Sequence, residues 1–463
     1  MERRWKGLLG ATVLCAASLA IVVSGAGTSG HAAAVPLNVV VILADDERWD
    51  SNARMQNVQR LLAAYGVTFT NAFVTTSECC PSRASILTGQ YAHHTGVVEN
   101  FGKTGSYPKF NERSNLAVWL HDAGYETALV GKYLNDYTVY GNHHVPAGWS
   151  IWRAMDSVPE ERYYDYTLNE NGELVHFGTR AADYSTDVLA GKAIDYIQRA
   201  QEPFFLYFAP IAPHLPATPA PRDLSTPVTL STPRPNFNER DISDKPWSAI
   251  YKRVLGPTAV HYLDREIEGQ QIRSLRELDR QVGALVRSLE QRGVLDRTVV
   301  LFASDNGFMW GEHRLGGKIW PYEESIRVPL VVRVPWRSAW GSTDDHMVLN
   351  IDFASTIAEL AGVKTQLPQD GRSLVPLLRG ASPPWRSDFV VEYLGGSQYL
   401  DGGPPPFRAL RTTRWLYVEY LNGWRELYDL RVDPYQLRNA ARDPARAAVR
   451  ARLAQRLHVL SRT

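Results

Sequence analysis

Asn38-Val39-Val40-Val41-Ile42-Leu43-Ala44, followed at once by Asp45 and Asp46, is the stretch on which the fold turns. After the leading Asn38 it is apolar without alternation and β-branched through its middle. That is the pattern of a strand covered on both faces, not of a half-exposed one. Four more runs have the same character: Thr127–Val130, Phe204–Phe208, Thr298–Ala303 and Val328–Val334. Between them lie helical patterns. Leu275, Leu278, Val282, Leu285 and Leu289 fall at three- and four-residue spacing, and Gly293 follows as a stop. Alternation of strand and helix predicts a doubly wound α/β sheet.

Working outward, residues Pro210 to Pro246 are rich in proline and read as a long rigid loop or lid. After about Ser382 the pattern changes. Phe389–Tyr393, Phe407–Leu410, Trp415–Tyr420 and Arg425–Leu430 read as short strands joined by tight turns. A last helix carries Val449, Leu453, Leu457 and Leu460 on one face. The expected organisation is a main α/β domain over 35–381 and a small antiparallel α+β subdomain over 382–463.

The chain has 463 residues, 44% hydrophobic and 21% charged, as a globular protein has. Its 50 Lys+Arg stand against 49 Asp+Glu, which argues against nucleic acid as the main partner. An acidic sugar could still be held by a local basic pocket. At the start, Arg3, Arg4 and Lys6 precede an apolar run from Leu8 to Val23, and Ala32-Ala33-Ala34 offers a cleavage site. The run is short of the ~20 residues that a membrane span needs. Residues 1–34 are therefore expected to be a cleaved export signal, giving a secreted or periplasmic protein with no membrane span. Cleavage removes three basic residues and one acidic, leaving 47 against 48. It also leaves two of the three cysteines, Cys79 and Cys80, which are adjacent and so ill suited to a structural disulfide.

Those cysteines open the segment that carries chemistry, Cys79-Cys80-Pro81-Ser82-Arg83-Ala84-Ser85-Ile86-Leu87-Thr88-Gly89. Pro81 suits a first helical position and Gly89 a C-terminal stop, so Cys79 is expected just before a helix N-terminus. Free backbone N–H groups and the helix dipole favour an anion there, and Arg83 adds a fixed positive charge. A nucleophile at an anion site beside an Arg is what a sulfate or phosphate ester hydrolase wants. A cysteine pair buried at a helix start is the plain alternative.

The string C-x-P-S-R followed by A-S-I-L-T-G resembles the signature of the type I sulfatases, members of the alkaline-phosphatase superfamily. The resemblance implies an alkaline-phosphatase-like sheet. It also implies that Cys79 is oxidised before folding to Cα-formylglycine by a formylglycine-generating enzyme, with Cys80 the variable position. The chemistry is coherent. A hydrated aldehyde carries two hydroxyls on one carbon: one displaces the alcohol from sulfur, and the other then expels sulfate by C–O cleavage, whereas a serine would be left as a stable ester. A divalent ion and Arg83 would hold the attacking oxygen as an anion.

Asp45 and Asp46 end the first strand, and Asp305 and Asn306 follow Thr298–Ala303 in S-D-N-G, where α/β sheets place ligand groups. Three carboxylates and an amide oxygen make a hard oxygen site, suited to Ca²⁺ or Mg²⁺. Either pair alone reads as a helix cap or a turn. With the cysteine motif they match the family's metal positions, Cys79 included, and the resemblance favours Ca²⁺. It further implies that Lys132, in Gly131-Lys132, binds the sulfate oxygens. His214, in Ala212-Pro213-His214, would stand near the leaving oxygen, and Lys318, in Gly317-Lys318, would stabilise or protonate the leaving alcohol. His93, His94 and His313 read as structural. Many sulfatases carry a histidine two residues after the Lys132 position, assigned as the base for sulfate expulsion; here it is Leu134. That base is left open between His214, a metal-site aspartate and water.

The same departure narrows the substrate. G-K-Y-L-N-x-Y at 131–137, then His144 to Trp152, Tyr163 to Leu168 and Asp183 to Leu189 resemble the N-acetylglucosamine-6-sulfatases. The likeness runs from about Asn38 to Gly380. It implies a sulfated sugar or glycan as substrate, with 6-O-sulfate on N-acetylglucosamine removed. Trp149, Trp152, Tyr163 and Tyr164 could stack on sugar rings or fill the core. Two alternatives remain: a phosphonate monoester or phosphodiester hydrolase of the same superfamily, and a non-catalytic protein that binds sulfated glycans.

Overall fold

The Asn38–Ala44 strand lies at the centre of a ten-stranded sheet, with Val39, Val41 and Leu43 packed into one hydrophobic layer and Val40, Ile42 and Ala44 into the other. This is why its sequence does not alternate: both faces are covered. The computed structural model describes residues 36–157, 159, 161–247, 253–396 and 403–462. The expected export signal at 1–34 lies outside the described residues.

Five strands form the parallel centre of the sheet, in the order Thr298–Ser304, Asn38–Ala44, Phe204–Ala209, Glu126–Gly131 and Ile151–Met155. Leu330–Arg333 then runs antiparallel beside Thr298–Ser304, and Tyr166–Glu170 and Glu173–Phe177 run antiparallel at the far side. On one face, helices Ser185–Arg199 and Gly269–Gln291 bury Leu189, Ala193, Leu275, Leu278 and Val282 against Ile42, Leu206 and Phe208. On the other, helices Cys79–Thr88, Leu116–Asp122 and Asp352–Ala361 bury Ile86, Leu87, Trp119 and Phe353. Each large apolar side chain fully buried in these layers contributes about 1.5–3 kcal/mol. The fold is alkaline-phosphatase-like and doubly wound, as expected.

A separate four-stranded antiparallel sheet, Asp388–Tyr393, Phe407–Thr412, Trp415–Tyr420 and Arg425–Asp429, follows in hairpin order. The terminal helix Ala447–Leu460 lays Leu453 and Leu457 on Val390, Leu410 and Tyr417. Tyr322 and Glu323 of the large sheet's loops bond to Glu426 and Arg411, at 2.8 and 2.7 Å. Residues 36–463 thereby close into one unit. The proline-rich segment forms no strand or long helix among the described residues. It is pinned across the 307–319 loop, with His313 N donating to the Asn236 carbonyl at 2.6 Å and Asn238 N to that of Gly311 at 2.8 Å.

One expectation changes. The helix begins at Cys79 itself, with Glu78 as its cap, so Cys79 sits inside the first turn and not before it. Pro81 is tolerated at the third helical position because the first four N–H groups have no intrahelical acceptor to lose. Of the two readings open for the aromatics, Trp149, Trp152 and Tyr163 take the core one, with Trp152 packed edge-on by Tyr133 and Tyr137, while Tyr164 is half-buried against Tyr184.

Candidate active site

Each of four neighbouring parallel strands ends in a residue of one buried cluster. Asp45 and Asp46 follow Ala44, Lys132 follows Gly131, His214 lies five residues past Ala209, and Asp305 follows Ser304. The C-terminal edge of a parallel sheet is where such folds gather ligand groups. Local backbone sets the aim. Asp46 takes a left-handed φ of 69°, which Asp tolerates, and its N–H donates to Asp305 Oδ1 at 3.1 Å. Gly131 has φ 122°, and a Cβ there would stand 2.1 Å from the Ala209 carbonyl oxygen, so only glycine lets the chain turn Lys132 inward.

The helix from Cys79 supplies the other wall. Cys79 Sγ lies 3.6 Å from Asp45 Oδ1 and 2.6 Å from Lys318 Nζ, with no solvent exposure. One turn on, Arg83 is equally buried. Its Nε donates to Asp305 Oδ2 at 2.7 Å, Nη1 to the Lys132 carbonyl at 2.9 Å, and Nη2 lies 3.4 Å from Asp45 Oδ2. Lys132 Nζ bonds Asp45 Oδ2 at 2.8 Å, and Lys318 Nζ bonds Asp46 Oδ1 at 2.5 Å. His214 Nε2 is 3.5 Å from Asp46 Oδ2, while its Nδ1 is 2.7 Å from the Leu215 carbonyl oxygen. All the residues singled out from sequence, Asp45, Asp46, Cys79, Arg83, Lys132, His214, Asp305, Asn306 and Lys318, thus meet around one point. His313 is apart, buried with Nδ1 on Glu239 Oε2 at 2.6 Å.

The electrostatics follow from burial and pairing. Burial opposes ionisation of Asp45, but Lys132, His214 and Arg83 outweigh it and hold the carboxylate far below its usual range. Burial, with the neighbouring Asp45, raises Asp305. Burial works against the charged forms of Lys132 and Lys318, yet Asp45 and Asp46 respectively push both upward. Burial pushes the Cys79 thiol well up.

The oxygen donors Asp45, Asp46, Asp305 and Asn306 suit a hard dication, while the sulfur of Cys79 and the imidazole of His214 are softer donors. Ligand atoms of Asp45, Asp46, Cys79 and His214 all lie within 4.8 Å of one another. Asn306 donates through Nδ2 to Asp46 Oδ1 at 2.7 Å, and its buried Oδ1 has no hydrogen-bond partner. A buried amide oxygen left unpaired costs about 1–3 kcal/mol, and a cation would satisfy it. Beside the cluster opens a cavity of about 530 Å³, lined by Asp46, His214 and Lys318 on its polar side and by Leu215, Tyr262, Phe308 and Trp320 on its apolar side.

Sequence reasoning missed Glu161, whose Oε1 reaches Lys132 Nζ at 2.8 Å. It comes from the loop after the Ile151–Met155 strand, and no motif marks it.

Comparison with known proteins agrees with this geometry. The sulfatase family model matches residues 37–363, and that of the N-sulphoglucosamine sulphohydrolase C-terminal region matches 311–463. The N-acetylglucosamine-6-sulfatase of Capra hircus is 36% identical over 453 residues, covering 88% of this chain and 80% of the relative. Two solved structures share the fold at 24% identity. One is an enzyme in complex with its substrate D-glucosamine-2-N,6-O-disulfate, with TM-score 0.77 over 92% of this chain and 97% of that one. The other is the phosphonate monoester hydrolase of Agrobacterium radiobacter, with TM-score 0.72 over 92% and 95%. The chain belongs to the sulfatase family and is a sulfuric ester hydrolase.

Proposed function

We propose that this enzyme removes 6-O-sulfate from N-acetylglucosamine units of a glycan, using Cys79 converted to formylglycine and a Ca²⁺ ion held by Asp45, Asp46, Asp305 and Asn306. One observation carries the reading. The side chain at 79 ends between the Asp45 carboxylate and the Lys318 ammonium, inside the first turn of a helix and one turn from Arg83. As a hydrated aldehyde, with the metal bound, that side chain supplies an oxygen nucleophile held as an anion and a second hydroxyl to release sulfate.

The chain's own residues do the rest. Arg83, rigid on two carboxylates, keeps positive charge behind the nucleophile. Lys132 Nζ and the helix N-terminus receive sulfate oxygens. Lys318, at the cavity, faces the leaving oxygen and protonates or stabilises it. His214 lines the adjoining cavity, with Nδ1 held by the Leu215 carbonyl and Nε2 3.5 Å from Asp46 Oδ2. Leu134 is buried in the apolar layer, so position 134 supplies no base, and we assign proton transfer during sulfate expulsion to His214, the imidazole beside Asp46. The leaving sugar sits in the adjoining cavity, its apolar face toward Leu215, Tyr262 and Phe308. Residues 1–34 direct export, and a formylglycine-generating enzyme acts on the chain before it folds.

A mass spectrum of the tryptic peptide Leu61–Arg83 from natively exported protein tests the nucleophile, and a panel of sulfated sugars tests the substrate. An aldehyde at 79 with fastest release from N-acetylglucosamine 6-sulfate is expected. An unmodified thiol overturns the mechanism, and faster release from other positions overturns the substrate. The shared fold with a phosphonate monoester hydrolase supports a second reading, which faster cleavage of an aryl phosphonate than of the aryl sulfate would favour.

A further inference from the structure

The loop that carries Glu161 is tied to two residues of the site at once. Glu161 Oε1 accepts from Lys132 Nζ at 2.8 Å and from Asn135 Nδ2 at 3.3 Å. Two residues on, the Tyr163 hydroxyl donates to the His214 carbonyl at 2.9 Å and meets Ser274 Oγ at 3.2 Å. The Glu161 side chain is 11% exposed. Burial opposes its charge, but Lys132 and His214 outweigh burial and hold its pKa at about 2, so it is ionised at any working pH.

A fixed negative charge against the lysine that receives an anionic substrate weakens binding, and so requires an explanation. Around the candidate nucleophile, Arg83, Lys132 and Lys318 face Asp45, Asp46 and Asp305, the three carboxylates assigned to the divalent ion; Glu161 is a fourth carboxylate, outside that set and against Lys132. Repulsion between fixed charges grows in proportion to the charge of the ligand. A sulfate monoester carries one negative charge. A phosphate monoester carries about two above a second pKa of about 6. The two esters are close in shape, so charge is the property left for discrimination.

We propose that Glu161, acting through Lys132, is a positioning residue that selects monoanionic sulfate esters against dianionic phosphate monoesters. The inference rests on the reading of Lys132 as the sulfate contact. It is a like-charge element directed against the wrong substrate, purchased with some affinity for the right one.

The test compares the full-length enzyme with Glu161→Gln and Glu161→Asp on three aryl esters at pH 8: 4-nitrophenyl sulfate and 4-nitrophenyl phenylphosphonate, both monoanions, and 4-nitrophenyl phosphate, a dianion. Ratios of kcat/KM cancel differences in formylglycine content. For Glu161→Gln the phosphate-to-sulfate and phosphate-to-phosphonate ratios should each rise at least tenfold, and Glu161→Asp should restore them to near wild type. Where phosphate turnover is too slow to follow, the inhibition constants of phenyl phosphate and methyl phenylphosphonate against sulfate-ester cleavage give the same ratio. If Glu161→Gln folds poorly, Glu161→Ser carries the comparison. A phosphate-to-phosphonate ratio that moves less than tenfold overturns the proposal, because a purely structural role lowers all three esters together. A wild-type enzyme that prefers phosphonate to sulfate would sink the sulfatase preference instead, while the phosphate-to-phosphonate ratio still tests Glu161.

Discussion

Arg83 and Asp305 form an ion pair with no solvent exposure on either side chain, Nε to Oδ2 at 2.7 Å. The pair joins the helix that presents Cys79 to the strand end that presents Asn306, and with the Ser82 hydroxyl on the Asp305 carbonyl it sets the candidate nucleophile's position relative to the candidate metal-binding edge. Burial costs both charges much of their hydration. Asp305 and Asp45 together compensate the buried charge of Arg83.

Removing one partner of such a pair leaves the other buried and uncompensated. Arg83→Ala should cost about 3–5 kcal/mol of stability and at least 100-fold in kcat. Arg83→Lys should keep part of the stability but not the turnover, because a point charge cannot span Asp45, Asp305 and the Lys132 carbonyl. Urea denaturation and steady-state kinetics on the same samples check both; near-normal turnover in Arg83→Ala would refute the role given to it.

The adjacent cysteines should behave in opposite ways. Cys79→Ala should abolish turnover while leaving the fold intact. Cys80 Sγ packs in the apolar layer, 3.7 Å from the Asn135 carbonyl oxygen, and faces no site residue through that contact. Cys80→Ala should cost roughly 1 kcal/mol for its small cavity and leave kcat within threefold. Loss of the aldehyde in Cys80→Ala would show that position 80 is read during maturation.

Chelation should remove turnover and lower the thermal midpoint, since metal bound only to the folded state stabilises it by mass action. Titrating Ca²⁺ or Mg²⁺ into the stripped protein, followed by thermal unfolding, should restore the midpoint at lower concentration for Ca²⁺. Asn306→Ala should weaken that response at least tenfold. A stripped protein with unchanged midpoint and activity would place the ion elsewhere.

Acid should also loosen a charge cluster that lies away from the site. Glu277 bonds Arg222, Arg280 and Gln281; burial opposes its charge, but Arg222, a hydrogen bond from the Asp187 carboxyl (itself raised by burial and by Glu277), Arg280 and Gln281 hold its pKa at about 2, below the ordinary 4.5. A depressed carboxylate stabilises the fold above its unfolded pKa, and that contribution fades as pH falls from about 4.5 to about 2. Glu277→Gln should therefore destabilise at pH 7 and converge on wild type near pH 2. Denaturation curves at pH 7, 4 and 2.5 decide it; a constant difference across pH would remove Glu277 from the account.

How far the sequence carried this reading depends on where the information sits. The strands Asn38–Ala44 and Thr298–Ser304 are legible because double coverage removes alternation, and the acids that follow them inherit their place from the strand ends. The strands Ile151–Met155 and Tyr166–Glu170, toward one side of the sheet, are not, because aromatic residues in and before them serve buried clusters and mimic a sugar platform. Trp152 shows the point: its ring meets Tyr133 and Tyr137, contacts set by tertiary packing. Glu161 is illegible for a further reason. Its partner Lys132 is 29 positions away in another loop, and a charged residue in a loop is by default a solvated one.

The complete burial of Cys79 also sets a clock. Its neighbours Asp45 and Lys318 lie 34 and 239 positions away along the chain, so its surroundings close only when distant segments have joined. Non-local contacts form slowly, and the interval before they form is the time in which position 79 can be reached from outside. Cooling or slowed synthesis lengthens that interval, and a mutation that hastens collapse shortens it. If the proposed conversion at 79 is what activates the enzyme, the active fraction of a preparation records a race between two rates, fixed at biosynthesis and beyond the reach of any later treatment of the folded protein.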